Sequence, residues 1–372
     1  MSPFLGRLAR ARARMADLGV DVLLVSVGPD LPYLTGYEAM PLERLTMLVV
    51  PRDGQPSLVV PRLEAPRVIE RPDAFAVVAW EESDDPVELV ARCAGAATNA
   101  AIGDRTWARF LVELQAAMPT TSFRKGSDVM GPLRAIKDAA EIEALRAAGA
   151  AADRVAAQLQ SGAIALVGRS EAQVSSDIGA RLVDEGHDRV NFAIVGAGPS
   201  AASPHHDASQ RMIRAGDVVL CDFGGTMTGP VGVGYCSDIT RCVIAGGIEA
   251  SSEVVDAYAV LREAQHAAVA AATVGTACED VDAAARNIIA EAGYGPRFFH
   301  RTGHGIGIEE HEDPYIVTGN AMVIEPGHAF SVEPGIYTAG SWGLRLEDII
   351  VATNAGPEPL NHADHALVVV DA

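Results

Sequence analysis

The chain has 372 residues, nearly half of them apolar, too many for one ordinary core and enough for two. Its 29 Lys and Arg face 49 Asp and Glu, a formal net charge of -20 that argues against nucleic acid or an anionic membrane as a partner. The acidity fits a soluble protein, and no apolar run approaches the roughly 20 residues of a bilayer-spanning helix.

Arg7, Arg10, Arg12 and Arg14 open the chain without a continuous apolar stretch, which speaks against a secretory signal. An Arg-rich, acid-poor start shares its composition with transit peptides, but Leu5, Leu8 and Met15 read as the inward face of a first helix. β-like runs at Val22–Val27, Thr46–Val50, Ser57–Val60 and Phe75–Ala79 then alternate with helical stretches at Pro86–Cys93 and Ala108–Met118, the pattern of a small α/β domain. A Gly/Ser/Pro cluster at Lys125–Pro132 breaks the pattern, and Asp138–Gln160 reads as a long Ala-rich helix. The expected domains are 1–130 and 131–372. Cys93, Cys221, Cys236, Cys242 and Cys278 form no C-x-x-C pair, and an odd, sparse set predicts no disulfide framework and a reducing, cytoplasmic setting.

Two stretches of the second domain follow one plan. Gly168 and Gly186 bracket a helical segment, and Gly275 and Gly293 bracket another with the same spacing of 18. Gly216 in Ile213-Arg214-Ala215-Gly216 precedes Asp222 by six residues, as Gly327 in Ile324-Glu325-Pro326-Gly327 precedes Glu333. Each acid is followed by a Gly-rich turn and a second acid, Asp238 in the first copy and Glu347 in the second. A duplicated helix-helix-hairpin unit, an α+β architecture, explains all of these matches together.

If the two hairpins pack side by side, strand alternation places Leu220 with Asp222, Asp238 with Thr240, and Arg345 with Glu347. Four carboxylates then converge in a partly dry interior where they cannot all stay ionised unpaired. Two divalent cations resolve the conflict, with Arg345 offsetting residual charge. Hard oxygen ligands and a single imidazole favour Mn²⁺, Fe²⁺, Co²⁺ or Zn²⁺. The glycines around His304 in Thr302-Gly303-His304-Gly305-Ile306-Gly307 make it the candidate imidazole, since they permit close approach to a crowded centre. His311 and His205 are open between a site role and loop or surface positions. His362-x-x-His365 reads as a solvated tail loop. No P-loop, Cys/His zinc spacing or G-x-S-x-G elbow is present, and metal-assisted hydrolysis remains.

Five ordered motifs carry a family resemblance: Cys221-Asp222-Phe223-Gly224-Gly225, Cys236-Ser237-Asp238-Ile239-Thr240-Arg241, Gly303-His304-Gly305-Ile306-Gly307, Ser331-Val332-Glu333-Pro334-Gly335-Ile336-Tyr337 and Arg345-Leu346-Glu347-Asp348. With them the sequence resembles the pita-bread metallopeptidases of family M24, which include methionine aminopeptidase, aminopeptidase P and prolidase. Pro32-Tyr33-Leu34-Thr35-Gly36 makes residues 1–130 similar to the creatinase-type N-terminal domain, which favours the Xaa-Pro branch. The resemblance implies that Asp222 chelates one metal, Asp238 and Glu347 bridge two, and His304 and Glu333 complete the other, with Mn²⁺ the leading candidate. It further implies that His205 and His311 line the substrate pocket, that Arg345 stands beside the bridging glutamate, and that the protein is a homodimer. The expected reaction is hydrolysis of the bond before proline in small peptides. Glu333 would carry the proton, His311 would stabilise the oxyanion and His205 would position the substrate. The compact first domain leans toward a dipeptidase, with aminopeptidase P on longer peptides as the first alternative and a non-catalytic pita-bread binding protein, against which the complete ligand set argues, as the second. Between Asp222 and Asp238, Thr226–Tyr235 reads as an unusually long turn that leaves the metals intact and alters neighbouring substrate contacts.

Overall fold

The computed structural model describes residues 3–229 and 232–371. The chain divides into two compact units, Met1–Arg134 with Val231–Val233, and Ala135–Pro230 with Gly234–Ala372.

In chain order the first unit holds α1 (Pro3–Leu18), β1 (Val22–Val25), α2 (Asp30–Thr35), β2 (Met47–Pro51), β3 (Ser57–Pro61), β4 (Ala76–Trp80), α3 (Pro86–Ala94), β5 (Asn99–Ile102), α4 (Ala108–Ala117), β6 (Ser122–Lys125) and α5 (Ser127–Ala135). Its six strands form one mixed sheet in the order β4-β3-β2-β1-β5-β6, the α/β domain expected. α1 buries Phe4, Arg7, Leu8, Ala11 and Met15, a helical stripe in which Phe4 takes the inward place assigned to Leu5. Burying Arg7 is tolerable because its Nη1 donates to the Tyr33 carbonyl at 3.1 Å and its guanidinium lies 4.2 Å above the Tyr33 ring.

The cluster Lys125–Pro132 is not a break. Most of it is α5, with Pro132 inside the helix. Proline cannot donate to the Asp128 carbonyl, and Arg14 Nε fills that place at 3.3 Å, so the helix survives its proline.

The second unit contains α6 (Ala139–Gln160), α7 (Glu171–Asp184), β7 (Arg189–Ala197), β8 (Val218–Thr228), β9 (Gly234–Cys236), β10 (Ile239–Ala245), α8 (Ser252–Ala271), α9 (Cys278–Glu291), β11 (Gly303–Gly305), β12 (Glu312–Ile316), β13 (Ala329–Val332), β14 (Gly335–Thr338), β15 (Trp342–Arg345), β16 (Asp348–Thr353), β17 (Gly356–Pro359) and β18 (Val368–Val370). α6 starts on a capping box between Asp138 and Glu141. One sheet runs β18-β10-β8-β7 with β9 beside β8, another runs β12-β11-β13-β16-β17, and β14 pairs with β15.

The repeat is visible atom by atom. α7 and α9 are 14 residues each. Gly168 N donates to Ile213 O at 3.1 Å, and Gly275 N donates to Ile324 O at 2.9 Å. Gly216 N donates to Ala245 O at 2.7 Å, and Gly327 N to Ala352 O at 2.9 Å. Bridges Ser170↔Met212 and Ala277↔Val323 stand at equivalent points. β8 alternates strictly: Val218 and Leu220 pack with α8 and α9, while Val219, Cys221 and Phe223 pack with α6 and α7. Within the stretch read as a long turn, Thr226–Thr228 and Gly234–Tyr235 are instead paired strand, and Pro230 and Val231 lie outside the described residues.

Gly168 and Gly275 sit at φ 79° and 95°, and an added Cβ would meet nothing within 4 Å at either. Alanine there is expected to cost about 1–2 kcal/mol through left-handed backbone alone. Urea unfolding checks this, and midpoints indistinguishable from wild type would contradict it.

Candidate metal centre

The acids lie where strands begin and end at the seam of the repeat. Asp222 sits in β8 opposite Thr240 of β10. Asp238 immediately precedes β10 and Glu347 immediately precedes β16, while Glu333 immediately follows β13. An isolated bridge, Thr240↔Glu347, joins the two sheets here. His304 is the middle residue of β11, which approaches β13 so closely that a Cβ on Gly303 would collide with the Ser331 carbonyl. That crowding is why a glycine precedes the imidazole.

Ligand atoms of Asp238, His304 and Glu347 all lie within 4.8 Å of one another, and all three residues are buried. His304 Nε2 is 3.2 Å from Glu333 Oε1 and 3.8 Å from Asp238 Oδ2. Asp222 is turned onto Arg345, which holds its Oδ2 through Nη2. The same guanidinium donates from Nε to Thr240 Oγ1 at 3.0 Å, and from Nη1 to Tyr337 Oη at 2.9 Å and to the Pro204 carbonyl at 3.3 Å. Thr240 Oγ1 in turn donates to Glu347 Oε2 at 2.6 Å. All five predicted ligand residues and Arg345 thus belong to one contiguous group.

The two loop histidines are exposed. His311 sets its ring against that of His304, with centroids 3.9 Å apart and planes 42° apart. His205 follows Pro204, the residue whose carbonyl Arg345 anchors.

Thr240 was placed only on the face of Asp238, and the contacts of Thr240, Ser331, Tyr337 and His300 were not foreseen. Ser331 Oγ accepts from His304 N at 3.0 Å and donates to Glu333 Oε1 at 3.3 Å. His300 Nε2 lies 3.0 Å from Tyr337 Oη. Three of these residues stand inside or beside the quoted motifs, but their hydroxyl and ring contacts depend on cross-sheet pairing. His300 carried no signal beyond lying four residues before His304.

Electrostatics identify what the group lacks. Burial pushes the Asp238 carboxyl well above the usual carboxylate range, and the negative charges of Glu347, Asp222 and Glu333 push it further. Glu347 is driven well up by burial and then by Glu333 and Asp222. Burial also raises Asp222 against the opposing pull of Arg345. At Glu333 burial acts upward too, but the hydrogen bond and charge of His304, with His300 and Arg345, outweigh it and hold the carboxyl at about 2. Asp222 Oδ1 and Asp238 Oδ1 are buried with no hydrogen-bond partner among the described residues. Orphaned, desolvated carboxylate oxygens beside one imidazole are the donor set of a hard-to-borderline divalent ion.

Site and fold together define a metallopeptidase. A family model for metallopeptidase family M24 matches residues 143–354, one for the creatinase/prolidase N-terminal domain matches residues 7–136, and the chain belongs to family M24. It is 46% identical over 98% of its length to a probable dipeptidase PepE of Mycobacterium tuberculosis, covering 96% of that protein. An Xaa-Pro dipeptidase of Lactobacillus helveticus is 36% identical, with 96% of each chain covered. The crystal structure of dipeptidase PepE from Mycobacterium ulcerans superposes with a TM-score of 0.92 at 44% identity, covering 99% of this chain and 98% of that one. Among the described residues no helix is long and apolar enough to cross a membrane.

The raised Asp238 carboxyl carries a pH signature. The stability it contributes is fully present below its unfolded pKa near 4 and is lost as pH rises through the elevated folded value. Asp238→Asn has no such loss. In chelator-treated protein, the stability of the Asn variant relative to wild type is therefore expected to climb as pH rises above about 4. A difference that stays flat in urea melts at stepped pH would oppose the assignment.

Proposed function

We infer that the chain hydrolyses the peptide bond preceding proline in dipeptides, using two divalent ions, Mn²⁺ first among Mn²⁺, Co²⁺, Zn²⁺ and Fe²⁺. The observation that carries this reading is the convergence of three buried carboxylates, the half-buried Glu333 and one imidazole, with two acid oxygens unpartnered among the described residues. Asp222, Asp238, His304, Glu333 and Glu347 hold the ions, and the likeness to an Xaa-Pro dipeptidase supports the substrate class. When bound, the ions polarise the scissile carbonyl and lower the pKa of the attacking water.

The chain's own groups do the rest. Glu333, kept ionised by His304, accepts the water's proton and returns it to the departing proline nitrogen. His311, its ring tilted against that of His304 and exposed, donates toward the oxygen that gains charge. His205 holds the substrate from the loop that Arg345 fixes through Pro204 O. Arg345 and Thr240 keep Asp222 and Glu347 in place as the substrate arrives. A second reading, an aminopeptidase acting on longer Xaa-Pro peptides, is favoured by the exposure of both His205 and His311.

Asp238→Ala and Glu347→Ala are expected to lose bound metal and turnover together. His311→Ala is expected to keep its metal while kcat falls about 10²–10³-fold. Metal analysis beside assays on an Xaa-Pro dipeptide and an Xaa-Pro-Xaa tripeptide in Mn²⁺ decides both points. Full metal content in the Asp238 and Glu347 variants would end the reading, and faster cleavage of the tripeptide would select the aminopeptidase.

A further inference from the structure

A second group of imidazoles lies away from the carboxylate cluster. The stretch His362–His365, read from sequence as a solvated tail loop, is not free of the core. His365 Nε2 lies 2.6 Å from Asp348 Oδ2, and the Tyr258 hydroxyl donates to the His365 carbonyl at 3.0 Å. With α8 this stretch encloses a cleft of about 720 Å³, lined by Gln265, His266, Asp348, His362 and His365 among others.

Inside the cleft, His266 Nε2 lies 3.1 Å from His365 Nδ1. With its Nε2–H committed to Asp348, a neutral His365 turns the Nδ1 lone pair toward His266. Burial, then the neighbouring His365 and Arg262, lower the pKa of His266 and favour its neutral, ligating form. The two nitrogens share a hydrogen bond, with His266 Nε2–H donating to His365 Nδ1. A tetrahedral ion at about 2.0–2.1 Å from nitrogen spaces two ligands about 3.3 Å apart, so an ion takes the place of that proton, which shifts to His266 Nδ1, once the rings turn toward it and open slightly. A carboxylate behind a ligating histidine is the usual partner that fixes tautomer and ring orientation, and Asp348 is that group here. Asp348 is itself held by Arg241 Nη2 at 2.7 Å and Gln265 Nε2 at 3.0 Å. Gln265 Oε1 is buried with no hydrogen-bond partner among the described residues.

We propose that His266 and His365 form a second metal site, for a borderline transition ion of the Zn²⁺ class, with water completing its coordination and Asp348 orienting His365. Two imidazoles without a carboxylate ligand retain Zn²⁺ in preference to Mn²⁺ or Mg²⁺. Arg241 Nη1 also donates to the Glu347 carbonyl at 2.6 Å, so one buried guanidinium connects the support of this site with the backbone of the first.

The test is zinc binding by the full-length, Mn²⁺-loaded protein in equilibrium dialysis, comparing wild type with His266→Ala and His266→Gln. His266 is exposed on α8, and glutamine keeps a hydrogen-bond donor for His365. Wild type is expected to retain one more equivalent of Zn²⁺ than either variant, or to bind that equivalent at least about tenfold more tightly. Exchange at the carboxylate centre is common to all three proteins and cancels in the comparison, so the outcome does not depend on the peptidase reading. Equal zinc stoichiometry and affinity in all three would overturn the proposal.

Discussion

Four carboxylates brought together in a dry interior are the constraint around which the second unit is organised. Two like charges about 4 Å apart repel by about 4 kcal/mol at an effective dielectric of 20, and leaving one buried charge unpaired costs about 3–5 kcal/mol. Arg345 is a single cation, and its closest acidic contact is with Asp222. It cannot neutralise Asp238 and Glu347 as well, which is why those two carboxyls are driven up. The geometry is stable with all acids ionised only when further positive charge is supplied, and divalent ions supply it most compactly.

Duplication is how one chain assembles such a cluster. Each copy ends a helix pair with strands whose neighbouring residues are acidic, and the copies meet at the Thr240↔Glu347 bridge. Thr240 serves both sides there, accepting from Arg345 and donating to Glu347. Arg241 runs behind it, fully buried, and ties the Thr240 and Glu347 carbonyls together at 3.0 and 2.6 Å. A hydroxyl and a guanidinium thus place the acids before any ion arrives, which lessens the ordering that binding must impose.

What the sequence disclosed follows from how local each signal is. The glycines at 168, 186, 275 and 293 all adopt positive φ, so their regular spacing recorded a backbone requirement that only glycine meets cheaply. The acids were legible because a buried carboxylate in an apolar strand is conspicuous. α5 was hidden because Pro132 reads as a break until Arg14, more than a hundred residues away, takes the carbonyl it leaves over. β6, with the sequence Ser-Phe-Arg-Lys, is mostly exposed and carries no apolar alternation. His365 was misjudged for the same reason as α5: its partners Asp348, His266 and Tyr258 are distant in sequence, and nothing local announces them.

Burial also sorts the groups by task. Asp222, Asp238, Glu347 and His304 are buried, and Arg345, Thr240 and Ser331 hydrogen-bond Asp222, Glu347 and His304, whereas His205 and His311 are exposed on loops. A group that must hold ions at fixed separation gains from rigidity, since misplacement by an ångström weakens every ligand at once. A group that must meet a succession of peptides gains from remaining hydrated and mobile until the substrate displaces its water. Arg345 joins the two regimes: one arm grips Asp222 in the interior and another grips the Pro204 carbonyl beneath His205. The charge balance of the buried cluster therefore reaches the loop that carries His205 through one side chain.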